Sequence, residues 1–278
     1  MARNGEQEMS LLRTFMNTNI NLRKWFDQQF LPSSFIKDGN KDFIVEMAPS
    51  YLRQGMKIYD VGGEAALRIH QKKTALCLNI VGIDISQTEL DRAPVGGYDE
   101  TVCADIVNIH GAGDGDLVIC QAVLEHVKDT EGALRSIASL LMPGWRALIF
   151  VPSRNAVFAR LNVLLPEKLK RKILYGVYSN ARAAQGFPSF YHKCTPDDFI
   201  AMAKHNGLAV IESRYYYISS YFSFLFPVYL VWRIWVVIFK SIAGHQAAET
   251  FSMVLVKKAL CKGIEGRQGK VFFSENLW

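Results

Sequence analysis

The sequence predicts an α/β fold: a doubly wound, mostly parallel seven-stranded sheet, with N-terminal helices before it and an apolar helical insertion before the last strand. Three observations predict it. Short apolar runs alternate with amphipathic helical patterns through the middle of the chain. The run Met56-Lys-Ile-Tyr-Asp-Val-Gly-Gly63 ends in an acid and a glycine pair, as a buried strand turning sharply into a helix requires. A second run, Val81-Gly-Ile-Asp84, ends in another acid 24 residues after the first. Strand, helix and strand in short cycles close as right-handed parallel crossovers. The acid ending the second strand is placed to grip the two hydroxyls of a ribose, which makes the chain a candidate nucleoside-cofactor binder.

The elements follow in order. Residues 9–36 read as one or two amphipathic helices (Leu11, Leu12, Phe15 and Met16, then Leu22, Trp25, Phe26 and Phe30) broken at Pro32. Strands are predicted at 57–61, 80–83, 100–103, 116–120 and 147–151. The clearest helix between them is 130–142, stopped by Pro143-Gly144. A further helix covers 195–205, with Thr195 as cap and Pro196 in the first turn. Residues 208–217 and 250–258 are the last two strands. The expected organisation is an N-terminal helical segment (1–40), one domain (41–260) with insertions at 153–194 and 218–246, and a C-terminal tail (261–278).

Composition narrows the classes of function. Of 278 residues half are apolar and 21% are charged, which excludes global disorder and allows a sizeable core. The net charge of +6 suits an acidic ligand or an anionic membrane surface. No Lys/Arg-rich run with interleaved aromatics appears in the polar parts, so nucleic acid is not an expected partner. The five cysteines are scattered without a C-x-x-C pair, so neither a zinc site nor a disulfide framework is expected. The first residues lack the apolar core of a secretory signal, and a reducing cytoplasm is the expected compartment.

The ordered series Asp60-Val-Gly-Gly63, Gly82-Ile-Asp84, Ala104-Asp105, Asp116-Leu-Val-Ile-Cys-Gln-Ala-Val-Leu-Glu-His-Val127 and Leu141-Met-Pro-Gly144 resembles the class I S-adenosylmethionine-dependent methyltransferases, closest to the type 11 small-molecule group. The resemblance covers about residues 55–152, with a weaker echo in Thr195-Pro-Asp-Asp-Phe-Ile and Gly207-Leu. It implies the Rossmann-like methyltransferase fold and S-adenosyl-L-methionine as cofactor. It further implies that Asp60 and the backbone of Gly62 and Gly63 hold the amino-acid end. Asp84 would accept from both ribose hydroxyls, with Ile85 packed on the adenine. Asp105 would accept from the adenine amino group, with Ile106 beside it, and Gln121 would lie near the methionine part and the methyl group. Each acid has a plainer reading as a turn former or helix cap. Glu64 and Ala66 stand where the family usually carries glycine, and the Glu64 side chain could crowd the cofactor.

Methyl transfer to oxygen needs alignment and removal of a proton. His126 is the candidate base because its ordinary pKa lies near neutrality, with Glu125 beside it. A structural role for the pair is the alternative. His192, with Tyr191, is a second candidate for the substrate pocket. Quinone-type O-methyltransferases resemble this stretch but carry a further carboxylate where this chain has Ala122, so no metal is expected.

The insertions speak to substrate. Residues 221–239 are apolar enough to be scored as a membrane span. One crossing, however, cannot return the chain to a neighbouring antiparallel strand. An in-plane or shallow re-entrant helix is therefore expected at 218–240, bent at Pro227. Arg233 and Lys240 share one face, and Tyr229, Trp232 and Trp235 lie at headgroup level. Burial of this helix against the domain or a partner is the plainer alternative. The other insertion carries the basic run Lys168-Leu-Lys-Arg-Lys172. The expectation is a cytoplasmic enzyme attached peripherally to the inner face of a membrane, methylating a small-molecule, glycan or lipid-linked substrate. Two other functions fit less of the sequence: a non-catalytic scaffold of the same fold, and a nicotinamide-dependent oxidoreductase, which lacks its G-x-G-x-x-G.

Overall fold

The computed structural model describes residues 2–63, 66–164, 187–219, 222 and 225–259, with only the backbone of 2–13, 66–68 and 70. Seven strands form one sheet: β1 Lys57–Val61, β2 Asn79–Asp84, β3 Glu100–Cys103, β4 Gly115–Gln121, β5 Leu141–Pro152, β6 Leu208–Tyr216 and β7 Thr250–Lys257. Their spatial order is β3-β2-β1-β4-β5-β7-β6. The first five pair in parallel, whereas β7 runs antiparallel between β5 and β6. This is the expected doubly wound sheet.

Helices follow the sequence signals closely. They are α1 Ala2–Phe30, α2 Ser33–Ile36, α3 Gly39–Asp42, α4 Ala48–Ser50, α5 Ala66–Leu76, α6 Gln87–Leu90, α7 Thr130–Leu140, α8 Val157–Leu164, α9 Pro196–His205 and α10 Phe226–Ala243. Helix α7 starts where the Asp129 carboxylate accepts from the Gly132 N–H at 2.9 Å. It stops two residues early because the sheet claims Leu141 and Met142, so Pro143-Gly144 lies inside β5 rather than after a helix. Helix α9 begins as anticipated, with the Thr195 hydroxyl accepting from the Asp198 N–H and Pro196 in the first turn.

The core lies on both faces of the sheet. Along β4, Val118 and Cys120 join Leu134, Ile137, Phe199 and Phe251 on one side. Leu117 and Ile119 join Phe43, Met47, Leu148 and Phe150 on the other. A strand buried on both faces reads as a continuous apolar run, which Leu117-Val-Ile-Cys120 is. Pairing of Pro152 with Thr250, and of Tyr216 with Thr250, brings the ends of β5 and β6 and the start of β7 to one point. Chain direction sets that point on the edge where β1, β2 and β4 end.

A third apolar cluster lies beyond that edge, where α10 packs Tyr229, Trp232 and Val236 against Phe35 and Tyr217. The structure corrects the expected orientation of this helix. Tyr229, Trp232 and Arg233 point inward and are buried. Arg233 pairs with Asp27 of α1 (Nε to Oδ1 3.2 Å) and donates to the carbonyls of Tyr217 and Phe35. The Tyr229 hydroxyl donates to the same Asp27. A guanidinium that meets a carboxylate and two carbonyls gains more inside than at a headgroup. Pro227 opens the helix rather than bending it, as suits a residue without an N–H.

Candidate active site

A cavity of about 710 Å³ opens at the carboxyl ends of β1, β2 and β4, where open α/β sheets bind ligands. Its walls hold most of the residues singled out from sequence: Gly62, Asp84, Ile85, Asp105, Ile106, Gln121 and His126. Gly62 has φ +94°, and a Cβ there would come within 2.1 Å of Val123 Cγ2. The first turn can pass that close to the β4 loop only without a side chain.

Asp84 ends β2 with Oδ1 accepting from the Ser86 N–H at 2.7 Å. Burial raises its carboxyl pKa, the Ser86 N–H opposes that, and Glu89 adds to the rise. Beside it Ile85 is 60% exposed and presents an apolar surface to the cavity. Asp105 accepts from the Val107 N–H at 3.0 Å and so caps the turn Ile106–Asn108. The capping role and the cavity-lining position coexist in this one residue. Ile106 is buried beneath it.

Asp60 is placed differently. It is buried, does not line the cavity, and accepts from the Tyr98 hydroxyl at 2.7 Å. Burial, then the charge of Asp60, holds the Tyr98 hydroxyl far above its ordinary pKa, so it stays a donor. Gly63 is likewise buried and off the lining. Sequence reasoning missed Tyr98; it follows Gly96-Gly97 and carries no pattern that marks it. Glu64 lies outside the described residues.

Gln121, 4% exposed, closes β4, and its Nε2 donates to Asn40 Oδ1 at 2.6 Å. Asn40 was also missed, being 81 residues away in the N-terminal segment. The next residue, Ala122, has φ +52°. A left-handed conformation costs a non-glycine residue about 1–2 kcal/mol, and here it turns the chain from β4 into the His126 loop.

The turn Leu124–His126 carries the proposed acid–base pair. His126 Nδ1 lies 3.1 Å from the Pro188 carbonyl and 3.3 Å from Ser189 Oγ. Its Nε2 is 3.8 Å from Glu125 Oε1. The Glu125 carboxyl is buried, and the Glu125 carbonyl accepts from the N–H groups of Phe190 and Tyr191. Glu125 thus anchors the 187–194 loop, which supplies Phe187, Pro188 and Phe190 to the cavity wall. Lys128 Nζ sits 5.2 Å over the Phe190 ring at the rim. His192 is exposed and off the cavity lining, and Tyr191 is buried at φ +51°. These two do not join His126.

The donor set fits S-adenosylmethionine. A half-buried carboxylate at the β2 tip, an exposed isoleucine after it, a second carboxylate at the β3 tip and a glycine turn surround one cavity of nucleoside size. The chain is also similar to known methyltransferases. Residues 60–149 match the family model described as a methyltransferase domain. The chain is 25% identical over 194 residues to the ubiquinone biosynthesis O-methyltransferase of Bordetella avium, covering 66% of this chain and 75% of that protein. It is 26% identical over 200 residues to the protein of the same name from Ralstonia nicotianae, covering 69% and 78%. A solved S-adenosylmethionine-dependent methyltransferase from Mesorhizobium loti shares the fold, with TM-score 0.51, 15% identity, and 79% and 99% of the two chains covered.

Proposed function

We propose that this chain, a class I S-adenosylmethionine-dependent methyltransferase, methylates a hydroxyl oxygen of a lipid-linked or otherwise apolar small molecule at the inner surface of a membrane. The observation that carries the proposal is the shared sheet edge: the strands that bear the cavity end where the apolar helices α8 and α10 emerge.

Bound S-adenosylmethionine supplies a methyl group on a positively charged sulfur. The chain supplies the rest. Asp84 would hold the ribose hydroxyls, Asp105 and Ile85 the adenine, and the Gly62 turn with Gln121 the amino-acid end. His126 would act as the base. With its Nδ1–H donated to the Pro188 carbonyl, the neutral ring leaves Nε2 as acceptor for the substrate hydroxyl proton. The imidazolium so formed would lie beside Glu125, whose Oε1 is 3.8 Å from Nε2. Phe187, Pro188 and Phe190 offer an apolar wall to the acceptor molecule. The relatives named for O-methylation support oxygen as the acceptor atom.

Membrane attachment has its own support. The outer side of α10 exposes Val231 (70%), Trp235 (46%), Ile238 (48%) and Ile242 (80%). On α1, Phe15, Leu22, Trp25 and Phe30 are exposed, and on α8 Leu161 and Leu164. No Asp or Glu occurs at 218–248 or 157–164, and the one acid of 9–30, Asp27, is turned inward. An acid-free apolar face, with Lys24 and Arg160 exposed on the same helices, suits an anionic leaflet better than water. Helix α10 is long and apolar enough to cross a membrane, but its buried Arg233–Asp27 pair favours an in-plane position.

The test is to incubate the purified chain with methyl-labelled S-adenosylmethionine and detergent-solubilised membranes, then identify the labelled product by mass. Label on an oxygen of an organic-soluble molecule is the expected result. Label confined to water-soluble products would overturn the substrate class.

A further inference from the structure

We propose that Asn40 is a positioning residue for the methyl-donor end of the cavity: it holds the Gln121 carboxamide so that its carbonyl oxygen is left to face the bound donor. The proposal rests on the reading that Gln121 contacts S-adenosylmethionine.

A buried carboxamide offers two donors and one acceptor, and its orientation is decided by its neighbours. Gln121 meets an acceptor, Asn40 Oδ1, at 2.6 Å. In this arrangement the amino group lies on the Asn40 side and Oε1 is left for the cavity. An acceptor there suits the cationic groups of the donor, whereas an amino group would oppose them.

Asn40 can do this because its short helix is fixed to the far half of the sheet on both sides. A Cβ on Gly39 would lie 2.4 Å from Tyr216 Cδ2 and 2.7 Å from Thr250 Oγ1, so only glycine lets α3 settle on β6 and β7. Two residues after Asn40, the buried Asp42 accepts from the Tyr216 hydroxyl at 2.6 Å and Arg214 Nη1 at 2.9 Å, and pairs with Lys37 at 2.5 Å. Asp38 closes the first turn by accepting from the Lys41 N–H at 3.0 Å. The side chain of residue 40 is thereby carried to the tip of β4. Through this contact the N-terminal segment reaches Gln121 in the cavity wall.

The experiment is a double-mutant cycle read by calorimetric titration with S-adenosylmethionine and with its demethylated product, alongside thermal unfolding. Gln121→Ala and Asn40→Ala should each weaken binding roughly tenfold, the scale of a buried amide set free. Asn40→Asp keeps an acceptor oxygen and should stay within about threefold. In the Gln121→Ala background, Asn40→Ala should add less than about twofold, because its effect passes through the amide already removed. Additive losses, or full binding in Asn40→Ala while Gln121→Ala binds weakly, would overturn the positioning role. Unchanged binding in Gln121→Ala would instead overturn the reading beneath it.

Discussion

Two groups of carboxylates stand near the same edge of the sheet and meet opposite fates. On the β1–β4 side, Asp84 and Asp105 each accept at Oδ1 from a nearby backbone N–H and sit in the wall of an open cavity. On the β5–β7 side, Asp27, Asp42 and Glu249 are buried and turned toward side chains of the protein itself. The partners explain the difference. Asp84 and Asp105 are satisfied by groups two residues away, which leaves room for a ligand. Asp27 and Asp42 are met by Arg233 and Arg214 from 206 and 172 residues away. A charge that closes a long-range junction is no longer available to chemistry.

Breaking the inward set should have the largest effect. Arg233→Met keeps the apolar stem but strands Asp27 and two carbonyls, and should cost about 3–5 kcal/mol in denaturant unfolding. Replacing both partners, Asp27→Leu with Arg233→Leu, should recover much of that loss. A double variant as unstable as the single one would show that the ion pair is not what joins α1 to α10.

Glu249 sharpens the comparison through pH. It lies beneath α8 and α10, accepting from Trp232 Nε1 at 3.3 Å and from the Val157 N–H. Burial pushes its carboxyl up to about 7, from 4.5 in an exposed chain. Between those values the folded protein keeps a proton that the unfolded chain has released. The contribution of Glu249 to stability is therefore greatest below pH 4.5 and is lost as pH rises through 7, by up to about 3 kcal/mol. Glu249→Gln should remove that slope, so thermal unfolding from pH 4.5 to 8 should show the variant gaining on the parent. Parallel curves would count against a neutral carboxyl.

The outward set should behave in reverse. Asp84→Ala should weaken cofactor binding about a hundredfold, two charge-assisted hydrogen bonds being lost. Its unfolding should stay within about 0.5 kcal/mol of the parent, because no long-range junction depends on it. A large loss of stability would place Asp84 with the structural acids instead.

Much of this was legible in the sequence. Strands with two buried faces announce themselves as apolar runs, and cavity-lining acids sit at their ends in a fixed order, so β1 to β4 and Asp84, Asp105, Gln121 and His126 could be found one motif at a time. Asp60 fits that order yet turns to Tyr98, since strand-end position does not say which side a carboxylate faces. Asn40 and Tyr98 were invisible because each matters through one contact with a residue 81 or 38 positions away. Helix α10 misled for a different reason. A helix apolar nearly all round has no periodicity to say which face is inside, and the partner that decides, Asp27, lies in another helix.

The antiparallel placement of β7 has a consequence for retargeting. Tyr216 and Thr250 are paired, so the stretch between them departs from and rejoins the sheet at a single seam. A graft of different length or greasiness there should leave strand closure untouched, provided it brings its own answer to Asp27. Exchanging that stretch should therefore alter the apolar surroundings of the cavity mouth while leaving the β1–β4 wall in place.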